Sequence, residues 1–328
     1  MVIGLDIGYG YTKMAYLAAT GKHSLVIPST VSRYIPEKSF GDSFEVIRVN
    51  GRPFIVGSDI AGSSRVGSNF VGTEEYLAII GYCLSRADAA KRILVLGLPP
   101  QAYQKDRMQT LRDAIRGMDV CLEDGARLYI PQRVEFVPQG AGIFMAHLRK
   151  NGAAQGDMEK TTIIVDIGYH TTDTVLFAEG RYRNDVSRSY PLGVKYLYDK
   201  VRDAYIRKYA SFLSHDVDRI AEALLQNGRI MHFGETHTLD TGAILDDYYM
   251  GRVVHAILDY NASVKESGFV VENIIFGGGG VQYLKGMPGA HVVDEPQMAN
   301  AEGFMEYGLT LLTAKAGGFS GNTGQLPR

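Results

Sequence analysis

The chain has 328 residues, 45% of them hydrophobic and 21% charged, with 34 basic and 36 acidic side chains. That length corresponds to about two domains, and so much apolar surface excludes a disordered chain. A formal charge of −2 gives no footprint for direct nucleic-acid binding, which leaves a basic excess or stripe. Two cysteines, Cys83 and Cys121, supply neither a disulfide framework nor a zinc site and are expected to be buried free thiols. Met1-Val2-Ile3-Gly4-Leu5 runs straight into Asp6 without a signal-peptide pattern, and no apolar run approaches the ~18 residues that cross a membrane. The expectation is a soluble, cytoplasmic protein.

In chain order, Val2–Ile7 is a short apolar run stopped by Gly8, and Lys13–Leu17 and Ser24–Ile27 follow as strands of a hairpin meander. Ile93–Leu98, Val134–Val137, Ile163–Ile167, Asp173–Phe177 and Asn273–Phe276 are further strand-like segments. The helical spacing falls at Val217, Ile220, Ala221, Leu224 and Leu225. It recurs at Met250, Val253, Val254, Ile257 and Leu258, with Asp246 or Asp247 placed to cap the start. Strands alternating with helices predict an α/β protein. Asp199–Lys208 reads as an exposed helix with i, i+4 ion pairs, and Arg181-Tyr182-Arg183 with Arg188 as a solvated strand face. His232 and His237 stand beside a Gly turn without a third ligand, and residues 317–328 read as a flexible tail.

One repeat outweighs these elements. Leu5-Asp6-Ile7-Gly8-Tyr9 returns as Val165-Asp166-Ile167-Gly168-Tyr169, 160 residues later. Each copy ends an apolar strand and turns through Gly into a second one, and seven residues after each Asp comes a charged residue, Lys13 or Asp173. Two similar domains, each offering one Asp-Gly turn to a shared cleft, follow from a repeat of half the chain length. Glycine lets the main chain bend and a ligand approach it, and a concave run of backbone N–H groups suits phosphate oxygens. An Asp in such a turn repels phosphate unless a cation lies between them. The pair therefore implies Mg²⁺, reached through water because the ion dehydrates reluctantly. Lys13 can neutralise a phosphate as a point charge.

Gly277, Gly278, Gly279 and Gly280 follow the strand Asn273–Phe276, and a base or ribose packing on bare backbone is a use for such a run. Gly193 precedes a helical stretch and is either a second place where a nucleotide can approach or a packing glycine. Gln139, in Val137-Pro138-Gln139-Gly140, sits at a strand–helix junction, where an amide can orient a water for in-line attack on phosphate.

Together these segments resemble the actin, Hsp70 and sugar-kinase superfamily of ATPases, nearest to the ParM/StbA-like bacterial and archaeal actins. Asp6–Lys13 resembles the first phosphate loop, Asp166–Asp173 the second, and Phe276–Val281 the adenosine motif. Gln139 falls in the first connecting segment, and Asn300-Ala301-Glu302-Gly303-Phe304 in the second. The resemblance implies two RNase H-like, actin-fold domains flanking a nucleotide cleft, residues 1–160 plus 300–316 and residues 161–299. It implies ATP/ADP and Mg²⁺ as cofactors, with Asp6 and Asp166 holding the metal's waters and Gln139 positioning the attacking water. Gly8, Tyr9, Gly10, Tyr11, Lys13, Gly168, Tyr169, His170 and Gly193 would contact the nucleotide, with the four glycines 277–280 against the adenosine. The activity implied is slow, assembly-stimulated ATP hydrolysis in a homopolymer filament that segregates plasmid DNA or positions cargo. Contact with DNA would run through a DNA-bound adaptor protein, with no direct nucleic-acid or membrane contact. An ATP-binding scaffold of the pilus-assembly type and a small-molecule kinase on the same fold are the competing readings, and the choice of ATP or GTP stays open.

Overall fold

Strand β1 (Val2–Ile7) is buried along its whole length, which is why it reads as a continuous apolar run rather than an alternating one. The computed structural model describes residues 1–316 apart from 19, 35–44, 58–63, 66–69, 88–92, 101, 151–154, 210–216, 233 and 285–290. The tail expected over 317–328 lies outside the described residues. Antiparallel to β1 runs β2 (Tyr11–Ala18), and antiparallel to that β3 (Gly21–Pro28), the expected meander with longer strands. There follow β4 (Thr30–Arg33), β5 (Val46–Val49), β6 (Arg52–Val56), β7 (Ser64–Arg65), α1 (Glu74–Arg86) and β8 (Ile93–Leu98). Then come α2 (Lys105–Gly117), β9 (Val120–Cys121), β10 (Arg133–Pro138) and α3 (Ala141–Lys150). Parallel pairing of β8 with β1 and β10 gives the order β3-β2-β1-β8-β10.

The second half contains α4 (Gln155–Glu159), β11 (Thr162–Ile167), β12 (Thr172–Ala178), β13 (Arg181–Tyr190), α5 (Val194–Tyr209) and α6 (Val217–Asn227). The hairpin β14 (Arg229–His232) and β15 (Glu235–Thr238) follows, then α7 (Gly242–Tyr248), which passes through a π-helical turn, Tyr249–Val254, into α8 (His255–Glu266). Last come β16 (Asn273–Gly277), a 3₁₀ turn at Gly279–Tyr283, β17 (His291–Val292) and α9 (Ala299–Ala316). The second sheet has the order β13-β12-β11-β16-β17, with β11 antiparallel to β12, β12 antiparallel to β13, and β16 parallel to β11 and β17. Strand for strand this repeats the first sheet. The duplicated Asp-Ile-Gly phrase therefore marks the duplication of a whole sheet.

Helices α3 and α9 carry the chain between the sheets, and both pack in the layer that the sheets share. Phe144 of α3 stacks on Phe177 of β12 with ring centroids 4.5 Å apart, and Phe304 of α9 is fully buried. The two helices cross backbone to backbone. A Cβ at Gly142 would lie 2.3 Å from the carbonyl oxygen of Asn300, and one at Gly303 would lie 2.2 Å from that of Gly142.

Several expectations change here. The sheet β7-β4-β6-β5-β9 was not foreseen, because its strands are only two to five residues long. Asp246 and Asp247 lie inside α7 and not at a helix start: α7 already begins at Gly242, whose N–H is accepted by Asp240 Oδ1 at 2.9 Å. Asp199 pairs with Lys195 four positions before it and with Arg202 three positions after it, and the same helix buries Val201 and Tyr205 completely. Cys83 is buried, and burial pushes its thiol up to about 12, whereas Cys121, on the short strand β9, is only half-buried. His232 and His237 face Tyr205, whose hydroxyl lies 3.0 and 2.6 Å from their Nδ1 atoms, so they pin the β14–β15 hairpin to α5.

Candidate functional site

The two Asp-Gly turns close in the same way. Gly8 N–H donates to the carbonyl of Tyr11 at 3.2 Å, and Gly168 N–H to that of Thr171 at 2.8 Å. Buried Ser29, just past β3, fixes the first loop: its hydroxyl donates to Gly8 O at 2.6 Å, its N–H to Gly10 O at 3.0 Å, and it pairs with the Thr12 hydroxyl at 2.8 Å. The second loop is held from below, where the hydroxyl of Thr172 donates to Leu192 O at 2.9 Å.

Strand register then decides what faces each Asp. Lys13 lies directly opposite Asp6, and Asp173 directly opposite Asp166. Lys13 Nζ donates to Asp6 Oδ2 at 3.1 Å, and Gln139 Nε2 donates to Asp6 Oδ1 at 3.2 Å, so both Asp6 oxygens are engaged. Asp166 has a neutral partner: Asn300 Nδ2 donates to its Oδ2 at 2.7 Å, while Asn300 Oδ1 accepts the Gly140 N–H at 3.1 Å. Asn300 thereby ties one carboxylate to both connecting segments.

Burial, followed by the negative charges of Asp6 and Asp173, pushes the Asp166 carboxyl up to about 7, against the pull of Lys13 and Asn300. Burial also pushes Asp173 up to about 6. Thr171 donates to Asp173 Oδ2 at 3.1 Å, and the buried Oδ1 has no hydrogen-bond partner among the described residues. Asp6, Asp166 and Asp173 are thus gathered beside Lys13.

These groups line a cleft of about 1040 Å³ between the two sheets. Asp6, Lys13, Gln139, Asp166 and Asp173 stand at its floor, flanked by Gly8, Tyr9, Gly10 and Tyr11 on one side and Gly168 and Tyr169 on the other. Tyr198, Glu222, Gln282 and Gly278–Gly280 also line it. Gly278 has φ +86°, and a Cβ there would meet Asp166 Oδ1 at 2.4 Å. Only glycine therefore lets this turn lie against the carboxylate.

Three expected contacts fall elsewhere. Gly277 packs on Ile143, with a Cβ position 2.5 Å from Cδ1, and is not among the cleft-lining residues. Gly193 lies behind the second loop: its N–H donates to His170 O at 3.1 Å, and a Cβ would strike Tyr169 O at 2.4 Å. Gly193 thus supports the loop, while Val194, the first residue of α5, lines the cleft. His170 also stays off the cleft wall, its ring lying between those of Tyr9 and Tyr169. In the sequence Asp173 stands out only as the charged residue seven positions after Asp166, and its register opposite Asp166 is the signal that assigns it to the site. Asn300 and Glu222 reach the site only through the fold.

Among the described residues no three His, Cys, Asp or Glu side chains are grouped to hold a metal ion directly, so a cation here would be met through its waters. Buried carboxylates whose protons are held too tightly, one with an orphaned oxygen, are relieved by a hard divalent cation and its waters.

Residues 4–142 match the family model for the N-terminal domain of actin-like proteins, and residues 164–287 that for the C-terminal domain of the MreB-like archaeal actin homologue. The chain belongs to the actin-like proteins. Its fold is that of archaeal actin homologues and ParM proteins, two α/β domains of the actin type. Ta0583, an archaeal actin homologue, superposes with a TM-score of 0.75 at 19% identity, covering 94% of this chain and 99% of that one. Its complex with ADP gives 0.74 at 21% identity over the same shares, 94% and 99%. A subunit of a 15-stranded ParM filament from Clostridium botulinum gives 0.72 at 19%, again covering 94% and 99%. The sequence matches no curated protein.

Proposed function

We propose that the chain is a filament-forming ATPase whose assembly is switched by the nucleotide in this cleft. The observation that carries the reading is the duplicated loop pair, which brings Asp6 with Lys13 and Asp166 with Asp173 to the floor of one cleft. A relative of the same fold has been solved with ADP and another as a filament.

Asp6 and Asp166 would hold Mg²⁺ through its waters, and the ion supplies neutralisation of phosphate charge. Lys13 adds a cation at the first loop, and the two glycine turns let phosphate oxygens approach the main chain. Gly278, Gly279 and Gly280, with Tyr198 and Glu222, are placed for the nucleoside. Gln139 donates to Asp6 through Nε2, which leaves Oε1 to orient a water. An amide cannot accept that water's proton. Asp173 can: its raised pKa, and an Oδ1 without a hydrogen-bond partner among the described residues, make it the base we assign. Cargo, plasmid DNA or another body, would be engaged through an adaptor protein, in keeping with a formal charge of −2 and no excess of basic residues.

Phosphate release from Mg-ATP by the purified chain tests this reading. Turnover per subunit should rise with protein concentration and vanish in Asp166→Ala. ATP bound without any release at any concentration would replace the ATPase with a nucleotide-dependent scaffold.

A further inference from the structure

Three aromatic rings bridge the two phosphate-type loops. Tyr9, between β1 and β2, meets His170, between β11 and β12, edge to face with centroids 5.1 Å apart at 75°. His170 meets Tyr169 in the same manner, at 4.8 Å and 75°. The base of Tyr169 presses on the first loop: a Cβ at Gly10 would lie 2.7 Å from its Cβ. Tyr169 is in turn fixed to its own half. Its hydroxyl donates to Asp218 of α6, and its carbonyl accepts the Lys195 N–H of α5 at 2.7 Å.

The rings are therefore anchored to different sheets, whose covalent links run through the α3–α9 crossing at Gly142 and Gly303. Any rotation about that crossing that widens the cleft must pull Tyr9 away from His170. Such rotation is how a ligand held between the loops would leave, since Tyr9 and Tyr169 both line the cleft. An edge-to-face pair of this separation favours the closed state by roughly 2- to 12-fold.

We infer that Tyr9, His170 and Tyr169 form a latch that holds the two domains closed and sets the rate of nucleotide release. The inference rests on the proposed nucleotide-binding function. His170 acts without touching the ligand: it is a positioning residue that couples one loop to the other. The latch gives the subunit a slow clock for exchange that is independent of hydrolysis.

The test uses the full chain loaded with a fluorescent ADP analogue and Mg²⁺, chased with excess ATP in a stopped-flow instrument. Tyr9→Ala and His170→Ala should each accelerate release roughly 2- to 12-fold, and the double variant should be no faster than the faster single one. His170→Phe, which keeps an aromatic edge, should restore slow release. Unchanged release in both single variants, or effects that multiply independently, would overturn the latch. The same variants without ligand are followed by amide hydrogen exchange over residues 8–13 and 168–173. There the latch predicts exchange faster by the same factor in His170→Ala, and equal exchange refutes it. Failure of the wild-type chain to bind the analogue would remove the nucleotide function instead, and the exchange arm still decides whether the rings hold the domains together.

Discussion

Asp166→Asn should stabilise the ligand-free protein above pH 7 and leave it unchanged near pH 4. The carboxyl is buried and held at about 7 instead of 3.8, first by desolvation and then by Asp6 and Asp173. Below the unfolded value both states carry the proton. As pH rises from about 4, the unfolded chain releases its proton while the folded chain keeps it, so stability falls until the folded group also ionises at about 7. The accumulated loss is on the order of 4 kcal/mol. Asparagine has the same shape, its carbonyl oxygen can still accept the Asn300 Nδ2 bond, and it never ionises. With an unfolding entropy of roughly 2 cal/mol/K per residue, the gain for a chain of this size is about 6 °C in Tm. Thermal melts in a metal chelator, taken from pH 4 to 8.5, should show the two proteins coinciding at the acid end and separating through pH 5–7. Mg-nucleotide at 100 times its Kd should narrow the gap by about 2.7 kcal/mol, because the wild-type protein gains that stabilisation on binding. A difference independent of pH, or a variant less stable at pH 8 without ligand, would refute the reasoning.

Other outcomes follow from the same geometry. Gln139→Ala should slow phosphate release by at least about tenfold while nucleotide affinity changes less than about threefold, read as a kcat effect with little change in KM. Gly278→Ala should abolish nucleotide binding and lower Tm, since both its φ of +86° and the 2.4 Å approach to Asp166 exclude a Cβ. A thiol reagent should label half-buried Cys121 in the native protein and reach Cys83, whose thiol is buried and held at about 12, only after unfolding.

Much of this architecture is legible in the sequence where one physical cause dominates. β1, β8 and β11 are buried on both faces, so their apolar runs stand out, and the matched Asp-Ile-Gly turns disclose the duplicated sheet. The short strands β4–β7 and β9 escape because their pairing is fixed by distant partners. The start of α1 does carry a local signal, Thr73 before Glu74 and Glu75, with the Thr hydroxyl accepting the Tyr76 N–H at 3.3 Å. The glycines answer to two causes, since Gly278, Gly279 and Gly280 also line the cleft. A run of four suggests open backbone for a ligand, yet Gly277, Gly278 and Gly280 are required by Ile143, Asp166 and Ile167 packing against them. Asn300 reaches Asp166 across 134 positions of sequence, and no local pattern signals such a contact.

The central claim is that the nucleotide in this cleft switches self-assembly. High-speed sedimentation of the full chain with Mg-ATP, Mg-ADP or no nucleotide measures this directly, beside Asp166→Ala. The account predicts pelleting in Mg-ATP, much less in Mg-ADP, and none without nucleotide or in the variant. Protein that stays in the supernatant under all conditions while binding ATP, or that pellets equally without nucleotide, would contradict it.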